Sequence, residues 1–480
     1  MGSNIKRNYI YNVSFQIFSL LTPLITAPYI SRVLGPEGTG IYSYIHSIAT
    51  YFSLFAALGL SSYGLREASR LRDDRRLCSR LFYELTTIRL VTTLLSFLLY
   101  LAAVLVVDGD MRLYLATGFI ILSVGVDVTW YFQAMENFRA LVLRNFFVKF
   151  LSILCIFLFV RQEGHLFRYM LIQTGSIFLS NLLLIPQLKK WLVPVSFRRL
   201  RFTRHIRETL VYFIPTIATS VYTVLDRTMI GLITRDMAQN GFYEQAHKIV
   251  NILLTVITSL NVVVCVRTSY LFGQDKKAEI RKHMRNTFRF MYMIAFPVCF
   301  GLLACADNFA PSFFGEEFSA VAPMLKMFAP LLLIIGTSNL LGSLYLTPSG
   351  QRARSNRAII AGAVVNLVLN GALIPFFGAY GAVVASVAAE LVITALYLYY
   401  AHRFISVWRI LRIASRYALF GGLMWIPTHL IGDTLPHGAA TVVLQVFVGA
   451  VTYLILLIVF RDPAWITCRK QLVQMLRKRH

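Results

Sequence analysis

The sequence predicts an all-α integral membrane protein of about 14 transmembrane helices, arranged as two pseudo-symmetric six-helix lobes plus two C-terminal helices. Three observations predict it. Of 480 residues, 57% are hydrophobic and 14% charged, where a soluble domain carries about a quarter charged. The apolar residues come in runs near twenty long, enough to cross the roughly 30 Å hydrocarbon core as helices. Finally, the stretches Gly40–Ile48 and Gly241–Ile249 share Gly, Tyr, His and Ile at a constant offset. Secondary transporters built from repeated helical units show such echoes in corresponding positions of their halves.

Taken in order, the spans fall near 9–32, 40–65, 83–107, 112–135, 143–161, 167–188, 208–233, 242–267, 286–306, 318–346, 358–378, 380–402, 412–432 and 439–460. Lys6 and Arg7 give the N-terminus the look of a signal peptide. The apolar run nevertheless continues past Pro23 and Pro28 to Arg32 with no small-residue cleavage site, so it reads as the first membrane helix. The span 143–161 is the shortest, and 318–346 is long enough to be tilted or kinked at Pro330. Pro23, Pro28, Pro215, Pro297 and Pro330 interrupt spans in both lobes and are candidate bending points. Cys78, Cys155, Cys265, Cys299, Cys305 and Cys468 show no metal-ligand spacing and read as free thiols.

Charge orients the spans. A formal charge of +25 would suit nucleic acid, but the basic residues sit between apolar runs, where membrane topology explains them. They cluster in alternate connections: Arg66 to Arg80, Lys189 to Arg207, Arg267 to Arg289, Arg352 to Arg357, Arg403 to Arg416, and the tail from Arg461 to Arg479. The intervening connections are poor in Lys and Arg, with Arg161 and Arg168 as exceptions. The positive-inside rule then places both termini in the cytosol. The domain limits follow as an N-terminal lobe 1–192, a basic cytosolic linker 193–207, a C-terminal lobe 208–402, and 403–480 with the two additional helices and a basic tail. No P-loop, G-x-S-x-G or metal-ligand cluster interrupts the pattern, which argues against an enzyme or an ATP-driven pump.

Four motifs then carry a family resemblance. Leu34-Gly35-Pro36-Glu37-Gly38-Thr39-Gly40-Ile41-Tyr42-Ser43 resembles the first external loop of the polysaccharide-type lipid-linked oligosaccharide flippases, the Wzx-like proteins. Trp130 to Glu136 is similar to their fourth-helix motif. Asp226 to Gly231, followed by Gly241 to Ala246, is similar to the start of their second lobe. Asn366 to Asn370 with Gly378 to Ala385 resembles their eleventh- and twelfth-helix signature. The resemblance implies the fold shared with MATE exporters and a bacterial inner-membrane location. It also implies, as cargo, an oligosaccharide on a polyprenyl pyrophosphate, moved from the cytosolic to the outer leaflet. Membrane lipids and other polysaccharide assembly proteins are the implied partners, nucleic acid is not, and no cofactor is implied beyond a coupling ion, H+ or Na+.

Ionisable residues inside spans are costly and usually face a cavity or one another. Here Arg89, Lys149, Arg227, Lys248 and Lys326 outnumber Asp127, Asp226 and Glu390, and Arg32 lies near a span end. A pyrophosphate in a low-dielectric cavity needs such cations, Arg in particular, which can bind it with two bonds. For Lys149, Lys326 and Arg89 snorkelling to the interface is an equal reading. Arg227 sits several turns into its helix, where the cavity reading is favoured. His46 and His247 could contact phosphate or carry a proton, although packing between helices is the commoner use of such residues. Gln173, Asn181, Asn366, Asn370 and Glu390 could bond sugar hydroxyls or simply one another.

The favoured function is therefore a flippase for a polyprenyl-pyrophosphate-linked oligosaccharide, working by alternating access through a cationic cavity. The alternative is a MATE-like cation-coupled exporter of small organic molecules, which would want a carboxylate cluster. A membrane-embedded glycosyl-transferring enzyme would be expected to carry a large external loop, and no expected external connection exceeds about a dozen residues.

Overall fold

A computed structural model describes residues 2–106, 109–196, 200–259, 265, 268, 270–274 and 276–477, with side chains for these except 2–17, 211, 214–223 and 471–477. Arg198, Arg199 and Arg267 lie outside the described residues, and Pro215 outside the described side chains. The described residues are helical and contain no strand. Ten segments among them are long and apolar enough to cross a bilayer, and the first, Phe18–Arg70, takes in the second expected span and the first from residue 18 on. The chain forms two compact units, Met1–Gly241 and Phe242–His480.

The first unit holds α1 (Gly2–Ala57), α2 (Leu60–Arg70), α3 (Arg75–Val104), α4 (Met111–Gly125), α5 (Thr129–Ala134), α6 (Phe138–Phe159), α7 (Leu166–Leu182), α8 (Thr203–Thr234) and the first turn of α9 (Met237–Thr258). Within α1 only Gly35 departs from helical geometry, at φ 65° and ψ −179°, a conformation open to a residue without Cβ. Pro36 follows, with φ already set for a new helix and no N–H to leave unpaired. The chain reverses there. Tyr29 donates to the Val160 carbonyl at 2.7 Å before the break, and after it the Tyr42 ring meets Tyr169 at 5.1 Å. Both partners flank the connection between α6 and α7.

Two expected spans are interrupted. The second breaks at Leu58 and Gly59, both at positive φ, where the α8 backbone comes close. A Cβ on Gly59 would stand 2.8 Å from Phe213 N and 2.9 Å from Thr209 O. The fourth breaks between α4 and α5, because the Asp127 carboxylate competes for the next turn. Its Oδ1 accepts from the Thr129 N–H at 2.9 Å and the Thr129 hydroxyl at 2.5 Å, a side-chain turn just ahead of the separate helix. Trp130, Tyr131 and Phe132 of that helix are buried in a core with Phe82 and Leu188. Phe82 stacks on Trp130 with ring centres 5.8 Å apart. A second core gathers Leu34, Tyr100, Ile121, Val160 and Met170.

The second unit continues α9 and adds α10 (Lys277–Phe314), α11 (Val321–Phe328), α12 (Leu331–Leu341), α13 (Arg352–Phe377), α14 (Ala379–Ala401), α15 (Val407–Thr434), α16 (Ala439–Val459) and α17 (Pro463–Arg477). The long tenth span does break at Pro330, which separates α11 from α12. Gln445 on α16 ties three elements together. Its amide donates to the Ala304 and Thr428 carbonyls at 3.2 and 3.0 Å, and its carbonyl accepts from Asn308 at 3.2 Å. All six cysteines are free. On α17, outside the spans, burial foremost and the Asp462 charge push the Cys468 thiol above its ordinary range, which keeps it unreactive.

Candidate functional site

The first unit contains a cavity of about 410 Å³ between α1, α6 and α7. Helical periodicity explains why three mainly apolar helices line it with polar groups. On α7, Gln173, Ser176, Ser180 and Asn181 fall at i, i+3, i+7 and i+8, a single stripe. On α6, Asn145, Lys149 and Ser152 make a matching stripe, and Thr22 and Thr26 stand one turn apart on α1.

Two cations enter this cavity. Arg144 is held in place by neutral acceptors. Its Nη1 donates to the Ser180 carbonyl at 2.9 Å and to Asn181 Oδ1 at 3.3 Å, while Nε and Nη2 both donate to Asn145 Oδ1, at 3.0 and 2.5 Å. Asn181 is oriented in turn by its bond to the Ser123 carbonyl at 3.0 Å. Lys149 lines the same space. Helix α6 starts at Phe138, five residues before the expected span, which puts Lys149 at its midpoint, roughly 16 Å from either end at 1.5 Å per residue. A lysine at that depth cannot reach either interface, since its stem is too short. Positive charge ringed by amide and hydroxyl groups suits an anion that also carries hydroxyls.

Arg89 does different work. It is 2% exposed, and its guanidinium donates to the Asp127 backbone carbonyl, to Asp127 Oδ2 at 3.3 Å and to Ser61 Oγ at 2.7 Å. It thereby neutralises the carboxylate of the turn ahead of α5 and ties α2, α3 and the α4–α5 break together. Arg89→Met should lower stability in detergent by about 3 kcal/mol, because it strands a largely buried carboxylate. Adding Asp127→Asn should recover part of that loss, since asparagine carries no charge to strand and its carbonyl can still accept from Thr129. Thermal unfolding of both variants checks this.

The echoed glycines meet each other. A Cβ on Gly40 would lie 1.7 Å from the Met237 carbonyl oxygen and 2.9 Å from Gly241 N, and one on Gly241 would lie 2.1 Å from the Pro36 carbonyl oxygen. The α1 and α9 backbones touch there, an approach only glycine permits at both positions. Beside this crossing, α1 and α8 are joined by Ser47 Oγ and Thr228 Oγ1 at 2.8 Å.

With this geometry in place, the comparisons with known proteins fall into line. A family profile described as "Polysaccharide biosynthesis protein" matches residues 5–266, more than half of the 480-residue chain. The chain belongs to this family. It is 23% identical over 382 residues to a protein of Shigella dysenteriae described as a putative O-antigen transporter, covering 78% of this chain and 94% of that one. Among solved structures it resembles an inward closed lipid II flippase MurJ with a TM-score of 0.75 at 14% identity, over 95% of this chain and 99% of that one. It also resembles an outward-facing multidrug-resistance MATE transporter of the MOP superfamily with a TM-score of 0.55 at 13% identity, over 86% of this chain and 95% of that one. At these identities the structural likenesses show the shared fold alone.

The other expected site residues of this family member are spread out. Arg227, half-buried on α8, receives a bond from Asn240 Nδ2 on its backbone carbonyl at 2.8 Å, and its neighbour Asp226 is 4% exposed. His46 lies 3.3 Å from Thr50 Oγ1 and packs on Tyr42. Arg32 is exposed. In the second unit, His247 stacks on Tyr243 with centres 5.7 Å apart, and its Nδ1 lies 3.0 Å from Asn251 Nδ2. Lys248 approaches Glu244 at 3.8 Å, and Lys326 pairs with Asp307 at 2.5 Å. The Lys326 pair stands with both side chains more than a third exposed, where such pairs contribute little. Of the eight expected residues, Lys149 alone lines the cavity of the first unit. Arg144 was missed because it stood at the very edge of its expected span. The polar stripe on α7 was the signal that could have found the site.

Proposed function

We propose that this protein is a flippase that carries a polyprenyl-pyrophosphate-linked oligosaccharide from the cytosolic to the outer leaflet of the bacterial inner membrane by alternating access. The observation that carries the reading is the α1–α6–α7 cavity, where Arg144 and a mid-helix Lys149 stand among Gln173, Ser180 and Asn181. The cations suit a phosphate, the amides and hydroxyls suit sugar, and about 410 Å³ holds a fragment of the cargo at a time. The sequence likeness to a putative O-antigen transporter supports the same cargo class, and the likeness to a lipid II flippase supports the fold. The loop charges support cytosolic termini, and the pseudo-symmetric lobes supply two bodies for alternating access. Other polysaccharide assembly proteins are its proposed partners.

A MATE-like exporter of small organic molecules is the competing reading. Expression in a bacterial strain lacking its own O-antigen flippase separates the two. The flippase reading expects surface polysaccharide to return and sensitivity to cationic dyes to stay unchanged. Dye resistance without surface polysaccharide would establish the exporter instead.

A further inference from the structure

In the second unit, the first turns of α10 and the segment joining α14 to α15 enclose an open groove of about 540 Å³. Five cations line it: Arg281, Lys282, Arg285, Arg403 and Arg409. No aspartate or glutamate is among its described lining residues. Phe404 forms part of its wall, in a three-ring cluster with Phe272 at 5.8 Å and Tyr345 at 4.9 Å. The Arg281 guanidinium lies over the Phe404 ring, 5.1 Å from its centre. Five like charges lining one groove repel one another unless an anion lies among them. The aromatic stack fixes one guanidinium at the mouth, so part of the ordering cost of binding is already met.

The groove ends where an apolar face begins. Trp408 and Leu411, beside Arg409 on α15, are 66% and 51% exposed, and Leu419 two turns further is 59% exposed. A tryptophan at such a boundary marks the headgroup level of a bilayer. A diffusible anion would have no use for that face, whereas a lipid would lay its chains along it.

We propose that this groove binds the phosphate of an anionic membrane lipid, with the acyl chains running along α15. The lipid sits at the basic ends of the helices, which is the cytosolic interface on the orientation proposed above. Basic pockets between helices at that interface are suited to such headgroups. The site is separate from the α1–α6–α7 cavity and uses none of its residues.

The test is a lipid titration of the full-length protein in detergent, followed by native mass spectrometry with phosphatidylglycerol and, in parallel, phosphatidylcholine. The wild type should retain phosphatidylglycerol in preference, and Arg281→Gln/Arg285→Gln/Arg409→Gln should weaken that retention at least tenfold. Phosphatidylcholine binding and the melting temperature should not move, because all three side chains lie at the surface. Should the triple variant unfold, Lys282→Gln/Arg403→Gln provides the same reading from the other two cations of the groove. Equal retention of phosphatidylglycerol by folded variants would overturn the proposal. So would displacement of the lipid by inorganic phosphate at equimolar concentration, which would make the groove a site for a soluble anion.

Discussion

Replacing Arg144 and Lys149 together with glutamine should abolish surface polysaccharide in the complementation assay while leaving the protein at wild-type abundance. Each substitution removes a charge-assisted contact to cargo of about 1.5–3 kcal/mol, which is a ten- to hundredfold loss of affinity. The pair should therefore lose at least about a hundredfold if the two contacts are independent. The stability cost should be small, because Arg144 is bonded to neutral acceptors, Ser180 O, Asn145 Oδ1 and Asn181 Oδ1, and water entering the cavity can replace it. Arg144→Lys should recover only part of the activity. A lysine keeps the charge but cannot span the Ser180 carbonyl and the Asn145 amide with one planar fork. If the double variant exports normally at normal abundance, the cavity is not a cargo site. If it is lost from the membrane, the two cations are scaffold.

Gly40→Val and Gly241→Val should each be more damaging still, and by a different route. The obstructing atoms are backbone, the Met237 carbonyl and the Pro36 carbonyl, which cannot rotate aside as a side chain can. Overpacking a core ordinarily costs 1–3 kcal/mol, and a clash with fixed backbone should reach at least about 3 kcal/mol. Both variants should fall in abundance and melt earlier. Gly371→Val makes the control, since a Cβ there meets nothing within 4 Å. Wild-type melting behaviour in Gly40→Val would mean that the α1–α9 crossing opens at no cost.

How far the sequence foretold this differs from residue to residue. Its helical membrane character was legible because composition and run length depend on no contact. The break at Pro330 was legible because proline acts locally. Contacts were not. Arg89 and Asp127 were both named as ionisable residues inside spans, but nothing in their spacing says that a side chain on α3 reaches the turn between α4 and α5. Gly40 and Gly241 were recognised as counterparts, and counterparts need not touch. Arg144 was hidden by a boundary error of five residues, the distance between an interfacial arginine and one inside a cavity. Gln173 and Asn181 were noted singly. Only with Ser176 and Ser180 on the same face do they describe a surface.

The turn at Gly35 has a consequence for how this protein reaches the membrane. One residue alone separates the two limbs of α1, too little chain for the first limb to settle across the bilayer before the second emerges. The segment Phe18–Arg70, which holds the second limb and the first from Phe18 on, has the lowest window hydropathy of the ten spanning segments, 1.3, so this part of the chain is only modestly drawn from the translocation channel into lipid. Leaving together, the limbs share the partitioning free energy of both. For the start of this chain the helical hairpin, not the single helix, is the unit of insertion.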